Sequence, residues 1–339
     1  MRESVLITLI VAMIWVALAL LAMGGAGGGQ RLSAPTPDSE PPAASAGGPE
    51  TGAPTEQPAE AAAFDRRFRL PVLAEGQLLS LTLHDYLTGV LLAEMPLSFP
   101  EEALKAQAVA SRTYALRSYA RRRHEGAALC TDSGCCQGWR DPALAEPAAR
   151  ERAEAAVRAT DGLVIRYEGA LIDATFFSCS GGQTEDAAAV WGSDLPYLRA
   201  VESPGEEGAA HFSDELRIPL AEFRAALEAL DPELRLPEDP ADWIGPVTRT
   251  AGGGVETITL GERPFTGKAL RKRFGLRSTA FSLRLDADEA VFETRGFGHR
   301  VGMSQYGAEA MARAGNDFET ILKWYYRGVT VEPYVGEKN

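Results

Sequence analysis

Cysteine is scarce in this chain: Cys130, Cys135, Cys136 and Cys179 are the four among 339 residues. That is too few for a disulfide-built scaffold, so an apolar core must supply most of the stability. Positive charge is also short. Lys and Arg number 34 against 47 Asp and Glu, a formal net charge of −13. The chain therefore lacks the basic face with which a general nucleic-acid binder displaces phosphate counterions. There is no internal repeat, no Walker loop and no nucleophile elbow, and nothing suggests a doubly wound sheet. What is present is globular in proportion, with 45% apolar and 24% charged residues, which excludes an all-disordered chain. The length allows one large domain or two small ones.

Long apolar runs are absent except for one. Residues 5–23 hold 19 residues of which Thr8 alone is polar. As a helix this run is about 28 Å long, enough to cross a bilayer core. A cleavable signal peptide is the rival reading, but it would favour a shorter apolar run and a more basic start than Arg2-Glu3. Either way the rest of the chain is exported, and Arg2 with the amino terminus favours an inside N-terminus. Residues 24–63 contain 8 Gly, 7 Pro and 10 Ala, with Leu32 the one large aliphatic residue. This composition cannot bury a core and predicts a flexible tether reaching roughly 35 Å. The expected product is a single-pass membrane protein: a cytoplasmic N-terminus over 1–4, an anchor over 5–23, a linker over 24–63, and an acidic extracytoplasmic domain over 64–339.

The folded part reads as α+β. Partial alternation over 68–84 predicts short strands. Asp85 is placed to cap a helix to about Met95, stopped by Pro96, and Ser98 with Glu101 fits a capping box for a helix over 100–123. A Cys/Gly loop follows, then a helix over 141–159 and a strand pair over 163–167 and 171–177. Beyond it come a helix over 214–230, a Pro/Asp-rich loop over 231–246, strands over 255–260 and 279–285, a basic helix over 266–275, and a Gly-rich turn leading into a helix after 296.

Glu94 is the most informative carboxylate. Leu87, Val90, Leu91 and Glu94 fall at i, i+3, i+4 and i+7, one stripe of a helix. A carboxyl group there is partly desolvated, which raises its pKa and suits a general acid near neutral pH. The plainer alternative is a Glu at a frayed helix end, reaching solvent or pairing with an Arg. Lys105 and Arg112 lie seven apart on one helical face, which spacing alone reads as solvated charge. His124, Cys130 and Cys136 form H-x5-C-x5-C, with Cys135 adjacent. Imidazole and thiolate are zinc ligands, while disulfides compete outside the cytosol. Ser178 to Thr184 is a Ser/Gly turn after a strand, able to approach a ligand closely. Cys179 within it could be a thiol nucleophile, with no histidine placed beside it. Gly296 to Gln305 sets glycines, His299 and Gln305 at a helix start, where a lone His is more often structural.

Taken together, Ala93-Glu94-Met95-Pro96, the run Glu102 to Tyr114, Ser178 to Thr184, Val190-Trp191-Gly192 with Pro196-Tyr197-Leu198, Gly298 to Gly307 and Ile321 to Tyr326 resemble the signature of the stage II sporulation protein D (SpoIID/LytB domain) family. They occur in family order across about residues 68–332. The resemblance implies a single SpoIID-type domain with a glycan-binding cleft. It also implies a peptidoglycan lytic transglycosylase that cleaves MurNAc–GlcNAc bonds of peptide-free strands, in septal wall remodelling during sporulation engulfment. Glu94 would be the acid/base. Lys105, Arg112, Ser178, Gly181, Gly182, Thr184, His299 and Gln305 would line the glycan surface, and His124, Cys130 and Cys136 would hold a structural zinc, with no organic cofactor. Implied partners are glycan strands, a cell-wall amidase (SpoIIP-like) and a membrane scaffold protein. A non-catalytic wall-binding module that stimulates an amidase, as in the LytB branch, is the alternative. Many members read Gly-His-Gly-Val-Gly where this chain has Gly298-His299-Arg300-Val301-Gly302, so Arg300 is expected to narrow the cleft or touch the glycan.

Overall fold

The computed structural model describes residues 63–336. The expected anchor over 5–23 and nearly all of the linker over 24–63 lie outside the described residues. Among the described residues no helix is long and apolar enough to cross a membrane.

The architecture is mixed α+β, built on two apolar cores. The elements that make the first are α1 (Phe64–Arg67), β1 (Arg69–Ala74), β2 (Gln77–Thr82), α2 (Leu83–Glu94), α3 (Glu101–Arg121), β3 (Leu129–Cys130), α4 (Pro147–Ala159), β4 (Leu163–Tyr167), β5 (Ala170–Leu171), β6 (Phe176–Phe177) and α5 (Ala187–Trp191). An excursion builds the second core from β7 (Ser213–Pro219), α6 (Leu220–Leu230), β8 (Ile244–Arg249), β9 (Val255–Leu260), β10 (Arg263–Thr266), α7 (Gly267–Phe274), β11 (Phe281–Leu285) and β12 (Glu289–Arg295). The chain then returns to the first core through β13 (Met303–Ser304), α8 (Gln305–Arg313), α9 (Phe318–Tyr325) and β14 (Thr330–Pro333).

The sheets are small. Their strand orders are β2-β1-β3, β14-β4-β5, β13-β6, β10-β9-β8 and β11-β12-β7. Helix α3 is the spine of the first core. Ala103, Ala106, Ala108, Ala110 and Ala115 are buried along it, and such small side chains let neighbouring helices approach closely. Arg112 in its middle is fully buried and donates to the Asp65 carboxylate from Nε and Nη2, at 2.6–3.0 Å. It also reaches the Val157 and Leu163 carbonyls. One guanidinium thus ties α1, α3, α4 and β4 together. Arg112 is not on a solvated face, and it is not on a glycan surface either: fully enclosed, its donors are spent inside the fold.

Several local expectations are corrected. Thr82, not Asp85, caps α2, its hydroxyl accepting from the Asp85 N–H at 3.0 Å. Helix α3 starts after Pro100 without a side-chain cap, so Ser98 and Glu101 form no capping box. The helix expected from 141 starts at Pro147, behind a 3-10 turn over Pro142–Leu144. Residues 171–177 are not one strand: β5 pairs with β4, and β6 pairs in parallel with β13. Residues 213–219 are a strand and not the start of a helix, because β12, which the sequence reading did not predict, offers seven partners from Glu289↔Pro219 to Arg295↔Ser213. The expected loop over 231–246 ends in β8.

Breaking the buried pair leaves an uncompensated charge. Arg112→Met and Asp65→Asn are each expected to lower unfolding free energy by about 3–5 kcal/mol, read by chemical denaturation. A loss below about 1 kcal/mol would show that Arg112 is not the fold's internal tie.

Candidate functional site

Helix α2 delivers Glu94 as its last residue, on a stripe where Leu87, Val90 and Leu91 are fully buried. The loop over 136–140 lies along this helix and docks at three points. The Tyr86 hydroxyl donates to Gln137 Oε1 at 3.0 Å. Gly89 carries no Cβ where the Trp139 indole sits, and its carbonyl accepts from the Arg140 N–H at 3.1 Å. Glu94 Oε1 accepts from the Gly138 N–H. A Cβ on Gly138 would stand 2.8 Å from that oxygen, so glycine is what lets the amide reach the carboxylate. Burial raises the Glu94 pKa above its ordinary 4.5, and the Gly138 amide offsets part of the rise. The expected desolvated carboxyl is therefore present, held by a backbone donor that spacing did not reveal.

Glu94 lines a cleft of about 680 Å³ together with Tyr114, Asp173, Ser178, Trp191 and His299. Asp173 is the one other carboxylate in this lining. It is engaged by Arg117, with Nε 2.6 Å from Oδ1 and Nη2 2.9 Å from Oδ2, and by Arg121. Such bidentate pairing occupies its lone pairs. Tyr114 keeps its proton, its phenol pushed up to about 12 by burial.

The far wall comes from the Ser/Gly turn. Ser178 faces the cleft, whereas Ser180 and Thr184 are fully buried. Glu206 organises the turn from behind: it accepts from Cys179 Sγ at 3.0 Å, the Ser180 N–H at 2.7 Å and Ser180 Oγ at 2.8 Å, and from Ser203 Oγ. Cys179 is thus a buried structural thiol, its pKa raised by desolvation and by Glu206, and not a nucleophile. Gly181 packs against the Arg295–Gly296 backbone, with no room for a Cβ. Thr184 exchanges hydrogen bonds with Val201, and Gly182 is half-exposed.

Arg300 overturns its expectation. It sits at φ +65°, left-handed backbone that glycine adopts more easily, and its side chain turns inward. It donates to the carbonyls of Ser180 at 2.9 Å, Gln183 at 2.7 Å and Gly252 at 2.7 Å. It neither narrows the cleft nor reaches a ligand there; it clamps the Ser/Gly turn to the second core. His299 beside it does face the cleft, between Phe177 and Trp191 at ring distances of 5.6 and 5.1 Å. Its Nδ1 accepts from the Val301 N–H, and burial lowers its pKa to about 4, so the ring is neutral at physiological pH. Gln305 is buried 3.4 Å from Gln107. Lys105 lies outside the cleft lining, 2.7 and 2.9 Å from Glu101 and Glu102.

The loop over 124–136 gathers His124, Cys130, Cys135 and Cys136, their donor atoms all within 4.8 Å of one another. His124 Nε2 is 3.1 Å from Cys136 Sγ and 3.8 Å from Cys135 Sγ, and those two sulfurs are 4.0 Å apart. Ligands about 2.0–2.3 Å from a tetrahedral zinc stand roughly 3.3–3.8 Å apart, so the group fits a metal after slight contraction. Cys135 is the fourth donor that spacing left ambiguous. Pairing of β3 with β1 fixes Cys130, and the turn at Asp132 presents Cys135 and Cys136 together. The sequence reading also missed Gly138, Gln137, Asp173 and Glu206. Apart from Ser203, three residues before Glu206, their partners are 26–56 residues away in the chain, so no local pattern announces them.

A family model described as stage II sporulation protein (SpoIID) matches residues 75–167, which covers Glu94, Lys105, Arg112, Gly138 and the His/Cys group. Stage II sporulation protein D of Bacillus subtilis (strain 168) is 34% identical over 263 residues, covering 74% of this chain and 75% of that protein. The protein of the same name from Bacillus amyloliquefaciens is 35% identical over 264 residues, covering 74% of each. A B. subtilis protein named amidase enhancer is 28% identical over 299 residues, 73% of this chain and 40% of that one.

The reduced protein is expected to take up about one Co(II), seen as thiolate-to-cobalt charge-transfer absorption. Cys135→Ser should weaken uptake as much as Cys130→Ser does. Unchanged uptake in Cys135→Ser would reduce the donor set to three.

Proposed function

We propose, from the premise that the chain belongs to the stage II sporulation protein D family, that it is a lytic transglycosylase acting on peptide-free peptidoglycan strands, with Glu94 as the acid/base. The observation that carries the reading is the Glu94 carboxyl: desolvated, raised in pKa, hydrogen-bonded to one backbone amide and set in an open cleft.

Protonated Glu94 gives its proton to the glycosidic oxygen as the MurNAc C1–O bond breaks. The carboxylate so formed takes the proton of the MurNAc 6-hydroxyl as that oxygen closes on C1, leaving the 1,6-anhydro ring and regenerating the acid. One carboxyl serves both steps, and no water is consumed. Hydrolases that use two carboxylates need a second free one. Here Asp173 is held by Arg117 and Arg121, which supports the single-carboxyl route. The Gly138 amide steadies the carboxylate between the two proton transfers. Ser178 and neutral His299 contact the sugars, and Trp191, 45% exposed, offers a ring for stacking. A zinc held by His124, Cys130, Cys135 and Cys136 would have all four positions filled by protein, the pattern of a structural site that pins the loop ending at Gly138.

In this reading the protein is carried at the outer face of the cell membrane by the apolar run over 5–23 and works on septal wall during sporulation, beside an amidase and a membrane scaffold protein. The similarity to the amidase enhancer supports a second reading, in which the cleft binds glycan and stimulates an amidase without cleaving. The test is incubation of the full chain, in detergent micelles, with peptide-free strands. Release of 1,6-anhydroMurNAc ends supports cleavage; strand binding with faster amidase turnover and no anhydro product would support the second reading.

Glu94→Gln is expected to lower turnover roughly 10²–10⁴-fold with little change in strand affinity. The raised pKa means that ionising Glu94 costs more in the folded state than in the unfolded one. Wild type therefore loses stability as pH rises from 4.5 through the raised value. Glu94→Gln should melt no lower than wild type above that window and no higher below it. Wild-type turnover should fall on the alkaline side of the same window. Near-normal turnover by Glu94→Gln would remove it from the mechanism.

A further inference from the structure

A second cleft, of about 610 Å³, adjoins the first. Trp191 and His299 line both, so the two share a wall. The outer side of the second is helix α7, the basic helix that the catalytic reading leaves unused. Thr266 caps α7 by accepting from the Ala269 N–H, and Leu270 locks it into the second core. That anchoring turns Lys268, Arg271 and Lys272, at i, i+3 and i+4, toward the cleft.

The charges there are not internally balanced. Arg271 is half-buried and donates Nε to the Leu276 carbonyl at 3.3 Å, and among the described residues no carboxylate lies within 4 Å of it. Burial lowers its pKa without any anion to counter the effect. Lys268 reaches the Val190 carbonyl, which leaves its charge uncompensated. Two carboxylates share the lining. Glu185 is already occupied by Thr250 Oγ1 at 2.5 Å and by the Gly252 and Asp186 amides at 3.1 Å, and Glu256 is exposed on β9. A partly desolvated guanidinium facing an open cleft is a carboxylate or phosphate receptor by its chemistry.

We infer that the second cleft is an anion subsite for the same strand, in which Arg271, flanked by Lys268 and Lys272, takes the lactyl carboxylate of a MurNAc residue while Trp191 carries the sugar between the two clefts. This rests on the glycan reading of the first cleft. The chemistry explains a preference for peptide-free strands. Each MurNAc there ends in a free lactyl carboxylate, whereas a stem peptide converts that group to a neutral amide and adds bulk. Arg271 is a specificity-determining residue, at a distance from the proton transfer.

The test compares two ligands on the full-length protein: peptide-free strands, and the same strands with their lactyl carboxylates converted to neutral amides. Arg271→Gln is expected to bind the natural strands roughly ten- to a hundredfold more weakly, with affinity for the amidated strands unchanged. The natural strands should also lose affinity with added salt more steeply on wild type than on the variant. Equal binding of natural strands by Arg271→Gln and wild type would overturn the subsite and leave the first cleft standing. Wild type that binds neither ligand would overturn the glycan reading and the subsite with it. Should Arg271→Gln lose both ligands, the double variant Lys268→Gln/Lys272→Gln decides. Selective loss of the natural strand upholds the subsite, and unchanged binding removes it.

Discussion

The hydrogen bond from the Gly138 amide to the Glu94 carboxylate is the contact on which the site depends, because it is the point where the loop over 136–140 meets the carboxyl at the end of α2. On one side is α2, whose apolar stripe carries Glu94 to the edge of the first core. On the other is a loop with little secondary structure, in which Cys136 precedes Gln137 and Gly138. The carboxyl is too desolvated to be comfortable as an anion without a donor, and the loop can supply one only if its backbone comes close. Gly89 and Gly138 permit that approach, and the Tyr86–Gln137 bond fixes its register. The His/Cys group then closes the loop on itself a few residues upstream. A metal there would hold the Gly138 amide in place beside Glu94.

The opposite wall is built by the same logic with different chemistry. The Ser178–Thr184 turn has backbone groups that face inward, and a buried carboxylate and a buried guanidinium satisfy them. Glu206 accepts from the turn's N–H and O–H donors, and Arg300 donates to its carbonyls. Gly296 and Gly181 meet back to back, so the turn has no freedom to slide. The result is a rigid wall that presents Ser178 and neutral His299 to the cleft. Arg300 also reaches Gly252, which links this wall to the second core and places α7 beside Trp191. The Glu94 cleft and its basic neighbour are therefore one continuous construction.

Much of this was legible in the sequence. The α2 stripe follows from helical periodicity, and Glu94 on it follows directly, because burial of one face is a local pattern that a short window contains. His124, Cys130 and Cys136 were legible as candidate zinc ligands by residue type, with disulfides left as the competing reading, and the fold gathers them with free thiols beside Cys135. The ordered motifs named the family, which the relatives bear out. Helix α3 was placed to within about two residues, and the basic helix was found as a helix though not as part of a site.

The direction in which charged side chains point is settled by the fold. Lys105 and Arg112 share a helical face on paper. Yet Lys105 stays near the surface with Glu101 and Glu102, while Arg112 goes fully inside, because Asp65, 47 residues earlier, waits there. Arg300 turns away from the cleft because three carbonyls from two cores need a donor. Residues 213–219 become a strand because β12 lies alongside them. In each case the deciding partner is distant in the chain. Periodicity and composition report what a segment can bury; they carry no information about which far segment supplies the counter-charge or the missing edge. From the sequence came the family and the candidates, Glu94 on its apolar stripe and the His and Cys residues of one loop. From the fold came the Gly138 amide on the Glu94 carboxyl, Cys135 beside the other His/Cys donors, and the cations of α7 at a cleft beside Trp191, because each of these contacts joins segments that no local pattern links.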